Sequence, residues 1–181
     1  MVSNQQLVIL AQQGDRDAVA ELYRQNQPRI YRYIAYRVGD AAVADDLTAE
    51  VFVSMVKNIG RYEDRGRPFL AWLYTIAGNT VKMYYRRQKK VEFEPLPDEM
   101  IDHESNPAEI TQHRLTGDRL MALMPRLTEG QRQVILLKFI EGFDNAEIAG
   151  LMGKSEGAIR VLQHRALLAL RRELVEEVGI T

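Results

Sequence analysis

The sequence contains no cysteine. Disulfides and thiolate-bound zinc are therefore excluded, and the chain suits a reducing compartment. Histidine is scarce: His103, His113 and His164 stand far apart, none with a second ligand at metal spacing, so neither a metal nor a cofactor is expected. No apolar run is long enough to span a bilayer. The first residues, MVSNQQLVILAQQGDRDA, lack a basic stretch followed by an apolar one, so no secretion signal is expected. The reading is cytoplasmic, with no membrane insertion. A phosphate-binding loop is missing too. Gly153-Lys154-Ser155 looks like its end, but Ile148 stands where its first glycine belongs. The carboxylate pairs Asp45-Asp46 and Asp102 with Glu104 show nothing that would separate their pKa values, so the chain is not read as an enzyme.

Hydrophobic residues make up 46% of the chain, enough for real cores. The net charge of −1 hides a segregation. From Arg65 to Lys90 come Arg65, Arg67, Lys82, Arg86, Arg87, Lys89 and Lys90 without one acid. From Glu92 to Glu109 come seven acids without one Lys or Arg. Local sign, more than the sum, governs contact with phosphate.

Helical periodicity dominates, and the expected class is all-α. Asn4 to Gln13 reads as a short helix stopped by Gly14. Asp15 caps a second helix with the stripe Val19, Leu22, Tyr23, Ile30 and Ile34, bent at Pro28 and ended by Gly39-Asp40. A third, about Ala42 to Ile59, turns Ala44, Leu47, Val51, Met55 and Ile59 inward, and Asp45, Asp46, Glu50 and Lys57 outward. After the polar loop Arg61 to Pro68 a fourth helix runs from Phe69 to about Gln88. Phe69, Leu73, Ile76, Ala77, Thr80 and Tyr84 face inward, and Trp72 is assigned to the core. Thr75, Asn79, Lys82 and Arg86 form the opposite stripe. That stripe ends in RRQKK beside Tyr74, Tyr84 and Tyr85. Cations interleaved with aromatics suit nucleic acid with unstacked bases, although a solvated helix C-terminus favours cations equally.

Glu92 to Pro107 has three prolines and no helical period, and reads as an acidic linker. It divides the chain into helical domains of about 1–90 and 108–181, with 91–107 between. The second domain opens with a helix holding Leu115, Leu120, Leu123 and Met124, broken at Pro125. Thr128 caps the next helix with Gln131 at the capping-box position, and Val134, Ile135, Leu137 and Phe139 are expected to be buried. Asp144 to Arg172 then reads as a helix-turn-helix. Asp144 and Glu147 form a capping box, Gly153 supplies the turn, and Ser155 caps the second helix. Ala149 permits close crossing, while Ile159 and Leu162 point back into the first helix. The outward face, Lys154, Glu156, Arg160, His164 and Arg165, fits a DNA major groove. A helical hairpin with a solvated basic face would show the same pattern.

Four blocks now stand in order: GDRDAVAELYRQ, DDLTAEVFVSM, FLAWLYTIAGNTVKMYYRR and LTEGQRQVILLKFIEGFDNAEIAGLMGKSEGAIRVLQHRALLAL. Together they resemble a bacterial RNA polymerase sigma factor of the extracytoplasmic-function type, over nearly the full length. The resemblance implies a sigma-2-like helical bundle and a sigma-4-like helix-turn-helix, with core RNA polymerase and promoter DNA as partners and an anti-sigma factor as regulator. It implies that Asp45, Asp46, Glu50 and Phe52 meet the clamp helices of the polymerase. The loop Arg61 to Pro68, with Arg65 and Arg67, would capture a flipped base of the −10 element. Asn79 would lie near that pocket, and Lys82 and Arg86 would hold phosphate. The linker would thread the RNA exit path. Lys154, Ser155, Glu156, Gly157, Arg160, Val161, His164 and Arg165 would face the −35 element. Leu162 and Leu167 depart from the family, many of whose members are basic there, and Val161 stands where a polar residue is common. A stand-alone helix-turn-helix regulator that binds duplex DNA without polymerase is the alternative.

Overall fold

A computed structural model describes residues 2–88 and 117–179. Among the described residues every regular element is helical. The chain divides into two compact units, Met1–Glu92 and Phe93–Thr181. The acidic stretch, Lys89, Lys90, His103, His113 and Leu115 lie outside the described residues.

The first unit is a bundle of four helices, α1 (Asn4–Gln12), α2 (Arg16–Val38), α3 (Ala41–Asn58) and α4 (Phe69–Gln88). Each of the first three starts on a side-chain cap: Ser3 with Gln6 for α1, Asp15 for α2 and Asp40 for α3. These oxygens occupy backbone N–H groups that no helical carbonyl can reach. Gly39, at φ +71°, lets α2 end and α3 begin two residues later. Pro28 lies inside α2, which continues through it. α2 packs on α1, α3 and α4, and α3 packs on α4. The expected stripe of α3 is wholly buried, from Ala44 to Ile59. On α2, Leu22, Ile30 and Ile34 are buried as expected, whereas Tyr23 is exposed at one edge, its ring edge-on to Phe52 at 4.8 Å. The buried face of α4 is broader than one stripe, because the helix lies against both α2 and α3. Leu70, Ala71, Tyr74 and Val81 join Phe69, Leu73 and Ala77 in the core, and Ile76, Thr80 and Tyr84 are half-buried.

The second unit comprises α5 (Gly117–Leu123), a 3-10 turn at Met124–Arg126 containing Pro125, α6 (Glu129–Ile135), α7 (Asn145–Met152) and α8 (Glu156–Val178). Thr128 and Gln131 form the expected capping box. α6 runs on into a π-helical turn, Leu136–Ile140, closed by the Glu141 N–H donating to the Leu136 carbonyl at 3.0 Å. The wider turn advances the phase of the side chains. Leu136 is therefore buried beside Val134, Ile135 and Leu137, while Phe139, expected inside, is 41% exposed. α6 and α7 both pack on α8.

Candidate nucleic-acid interface

The helix-turn-helix is built from local chemistry. The Asp144 carboxylate accepts from the Glu147 N–H at 2.8 Å, and the Glu147 carboxylate accepts from the Asp144 N–H at 2.8 Å. Gly153 ends α7 at φ +63°, a conformation that a β-branched residue would occupy only under strain. The Ser155 hydroxyl then accepts from the Ala158 N–H at 3.2 Å to open α8. Ile148 and Ala149 of α7 and Ile159, Leu162, Ala166 and Leu170 of α8 are buried where α8 packs on α6 and α7. The Gln163 amide donates to the Asn145 side-chain oxygen at 2.7 Å, tying the start of α7 to the flank of α8. We expect Asp144→Ala to lower the stability of this unit by about 1 kcal/mol. Chemical denaturation followed by circular dichroism would measure it, and an unchanged midpoint would remove the cap from the account.

Bracing one side of α8 leaves the other outside. Lys154, Ser155, Glu156, Arg160 and Arg165 are exposed, and Gly157, Val161 and His164 are half-buried. Glu156, Arg160 and His164 follow at four-residue spacing along one side of the helix, with Glu156 Oε2 and an Arg160 guanidinium nitrogen 3.4 Å apart. Leu162 and Leu167 are both buried, which explains their apolar character where cations were the pattern expected.

In the first unit a second cationic surface follows α4. Asn79, Lys82 and Arg86 are exposed on its outer stripe. The Thr75 hydroxyl instead bonds back to the Ala71 carbonyl at 3.2 Å. Tyr74 is corrected from a surface aromatic to a core one, edge-on to Tyr33 at 4.9 Å. Tyr85 is half-buried and its hydroxyl donates to the Arg37 carbonyl at 2.6 Å, which leaves the half-buried Tyr84 beside it.

The loop before α4 is held from a distance. Gln12, on α1, donates to the carbonyls of Ile59 and Tyr62 at 3.0 and 2.9 Å. Asp64 accepts from Gln5 at 3.1 Å and from the Gly66 N–H at 2.9 Å, with Gly66 at φ +75°. Beneath it Tyr62, Phe69 and Trp72 form one aromatic cluster, with ring centroids 4.9 to 5.5 Å apart. Trp72 is thus a half-buried support of the loop rather than a core residue. Burial, with the Asp64 carboxylate adding to it, raises the Tyr62 pKa above the usual tyrosine range and keeps its hydroxyl protonated. Between α1 and the loop lies an open groove of about 360 Å³, lined by Arg67, Tyr62, Asp64, Phe69, Gln5 and Ile9 among others. Arg65 pairs with Glu63 at 3.2 Å. Gln5 and Gln12 were not legible as loop anchors in the sequence, since their partners lie 47 to 59 residues away.

α3 presents a third surface. Asp45, Asp46 and Glu50 are exposed on it. Phe52, expected there, is instead buried against Tyr23. Val53 and Val56, absent from the expected set, are about half exposed further along the helix, past Glu50. They fall off the stripe of Val51 and Met55, and that is the signal that would have found them. Among the described residues no group of three or more His, Asp or Glu could hold a metal ion, and no helix is long and apolar enough to cross a membrane.

Two family models match the chain, sigma-70 region 2 over residues 22–91 and sigma-70 region 4 over residues 117–170. The chain is 39% identical over 175 residues to the ECF RNA polymerase sigma factor BldN of Streptomyces coelicolor, covering 95% of this chain and 66% of that relative, just under two thirds. It is 36% identical over 169 residues to the ECF RNA polymerase sigma factor SigD of Mycobacterium tuberculosis, covering 90% of this chain and 79% of the relative. Among solved structures, the sigma factor RpoE in complex with the anti-sigma factor NepR from Bartonella quintana superposes with a TM-score of 0.64 at 19% identity, covering 86% of this chain and 95% of that one. This last likeness is one of fold.

Proposed function

Since this chain belongs to the extracytoplasmic-function group of the sigma-70 family, we propose that it binds core RNA polymerase and directs it to specific promoters. α8 reads the −35 element, and the first unit captures the −10 element and helps to melt it. It performs no chemistry of its own and acts in the cytoplasm. Residues 91–107 join a −10 domain, 1–90, to a −35 domain, 108–181.

The observation that carries this reading is α8, whose inner face is sealed against α7 while Lys154, Arg160 and Arg165 stand in solvent. A braced helix with a cationic outer face suits a major groove, and its N-terminal residues come nearest the bases. On the first unit the exposed Lys82 and Arg86 suit backbone phosphate, and Asn79 suits an unpaired base. The groove beside Arg67, floored by aromatic rings, suits a base that has left its stack. Melting then needs only tighter binding to the unpaired strand than to duplex, which shifts an opening equilibrium. Asp45, Asp46 and Glu50, with Val53 and Val56 further along the same helix, form the polymerase-docking face, and Phe52 shapes it from beneath. An anti-sigma factor, of the kind named with the Bartonella structure, is the regulator expected of the group.

Gel shifts with and without core polymerase, followed by run-off transcription, test the reading. The expected result is promoter binding and a transcript only with core. Equal binding by the chain alone would favour a stand-alone helix-turn-helix regulator. Polymerase capture without any transcript would make it a decoy. In footprints of reconstituted holoenzyme, Asn79→Ala is expected to weaken protection of the −10 element, and full protection would remove Asn79 from that role.

A further inference from the structure

We propose that Glu156 determines specificity: its carboxylate accepts a hydrogen bond from the exocyclic amine of a cytosine in the major groove, one or two base pairs from a guanine read by Arg160. The inference rests on the reading that α8 enters the groove of the −35 element.

Glu156 is the only acid between Lys154 and Arg172, on the surface that would otherwise be uniformly attractive to phosphate. A carboxylate there lowers attraction to any duplex, so a role in general affinity does not account for it. Its place in the first turn of α8 suits the helix dipole, but an acid there serves the helix from any direction and needs no partner on the outer face. A capping glutamate looks different: in α7, Glu147 accepts from the N–H of its own cap. α8 has no equivalent bond: Ala158 occupies the corresponding position, and Ser155 alone forms the cap. The Glu156 carboxylate instead lies along the outer face toward Arg160, at 3.4 Å, with both side chains at least half exposed.

Four residues of helix advance about 6 Å along its axis, against about 3.4 Å per base step. The two side chains therefore reach base pairs one or two steps apart. A carboxylate can only accept. Cytosine offers an amine donor in the major groove, and adenine offers one too, but beside its N7 acceptor, which repels a carboxylate and suits a carboxamide. Guanine and thymine offer acceptor oxygens and would repel it. Arginine is the complementary reader of guanine, through O6 and N7. In the free protein the two charges satisfy each other, and on DNA each exchanges that partner for a base.

Holoenzyme reconstituted with core RNA polymerase, selecting from a duplex promoter library randomised across the upstream element, tests this. Wild type should enrich cytosine at one position, with guanine one or two pairs away. Glu156→Gln should lose that preference by on the order of tenfold and gain adenine there, since a carboxamide pairs with adenine N6 and N7. It should also bind unrelated duplex more tightly. Glu156→Ala should become indifferent at that position alone. Retention of the same base at the same strength in both variants would overturn the assignment. If wild-type holoenzyme selected no upstream sequence at all, the failure would lie with the −35 reading itself.

Discussion

Ile159→Asp is expected to unfold the second unit and leave the first intact. Ile159 is fully buried on the inner face of α8, where α7 closes over it. A carboxylate at this site loses its hydration and meets no cation in exchange, at a cost of several kcal/mol. Whole domains are stable by only about 5–15 kcal/mol, and a helical unit this small stands toward the lower end. The outcome can be read separately in each unit, because the single tryptophan, Trp72, belongs to the first. Its fluorescence should keep the wild-type unfolding midpoint, while circular dichroism shows reduced helicity before any denaturant is added. A fluorescence midpoint that fell with the helicity would mean that the units fold as one cooperative body.

Arg160→Ala should weaken recognition of the upstream element by roughly 1–3 kcal/mol. Two effects combine. The variant loses its hydrogen bonds to a base edge, and it leaves the Glu156 carboxylate in the groove without its neighbour. Loss of the ion pair within the free protein contributes little, since exposed pairs four residues apart are worth only about 0.3–0.5 kcal/mol. The salt dependence of holoenzyme binding discriminates between modes of contact. A base-reading arginine should leave the slope of log affinity against log salt nearly unchanged and penalise the preferred sequence most. A phosphate-binding arginine should lower the slope by about one and weaken all sequences alike. The second pattern would move Arg160 from readout to positioning.

Features decided within a few residues were legible in the sequence. Asp15, Thr128, Asp144 and Ser155 cap the helices they were expected to cap, since a cap needs only a short polar side chain and the next three backbone N–H groups. The α3 stripe was legible for a similar reason, one strong helical period with consistent chemistry on each side. What escaped depends on distant packing. The π-turn at Leu136–Ile140 leaves no local mark, and Phe139 within it faces outward. Tyr74 and Tyr84 are the same residue type on one helix, yet α2 and α3 bury the first almost completely and leave the second partly in solvent. Phe52 was expected at a binding face, and its burial follows from the position of Tyr23 on another helix. Leu167 stands where a cation was the expected pattern because the core buries it, which no local signal announces.

The double grip of Gln12 on the carbonyls of Ile59 and Tyr62, 47 and 50 positions further along, gives α1 an influence out of proportion to its size. A version begun after Gln12 would lose that grip, and with it one wall of the groove beside Arg67. How the gene is cloned thereby becomes an experimental variable, and preparations that differ only at their leading end should differ in how readily they open a promoter.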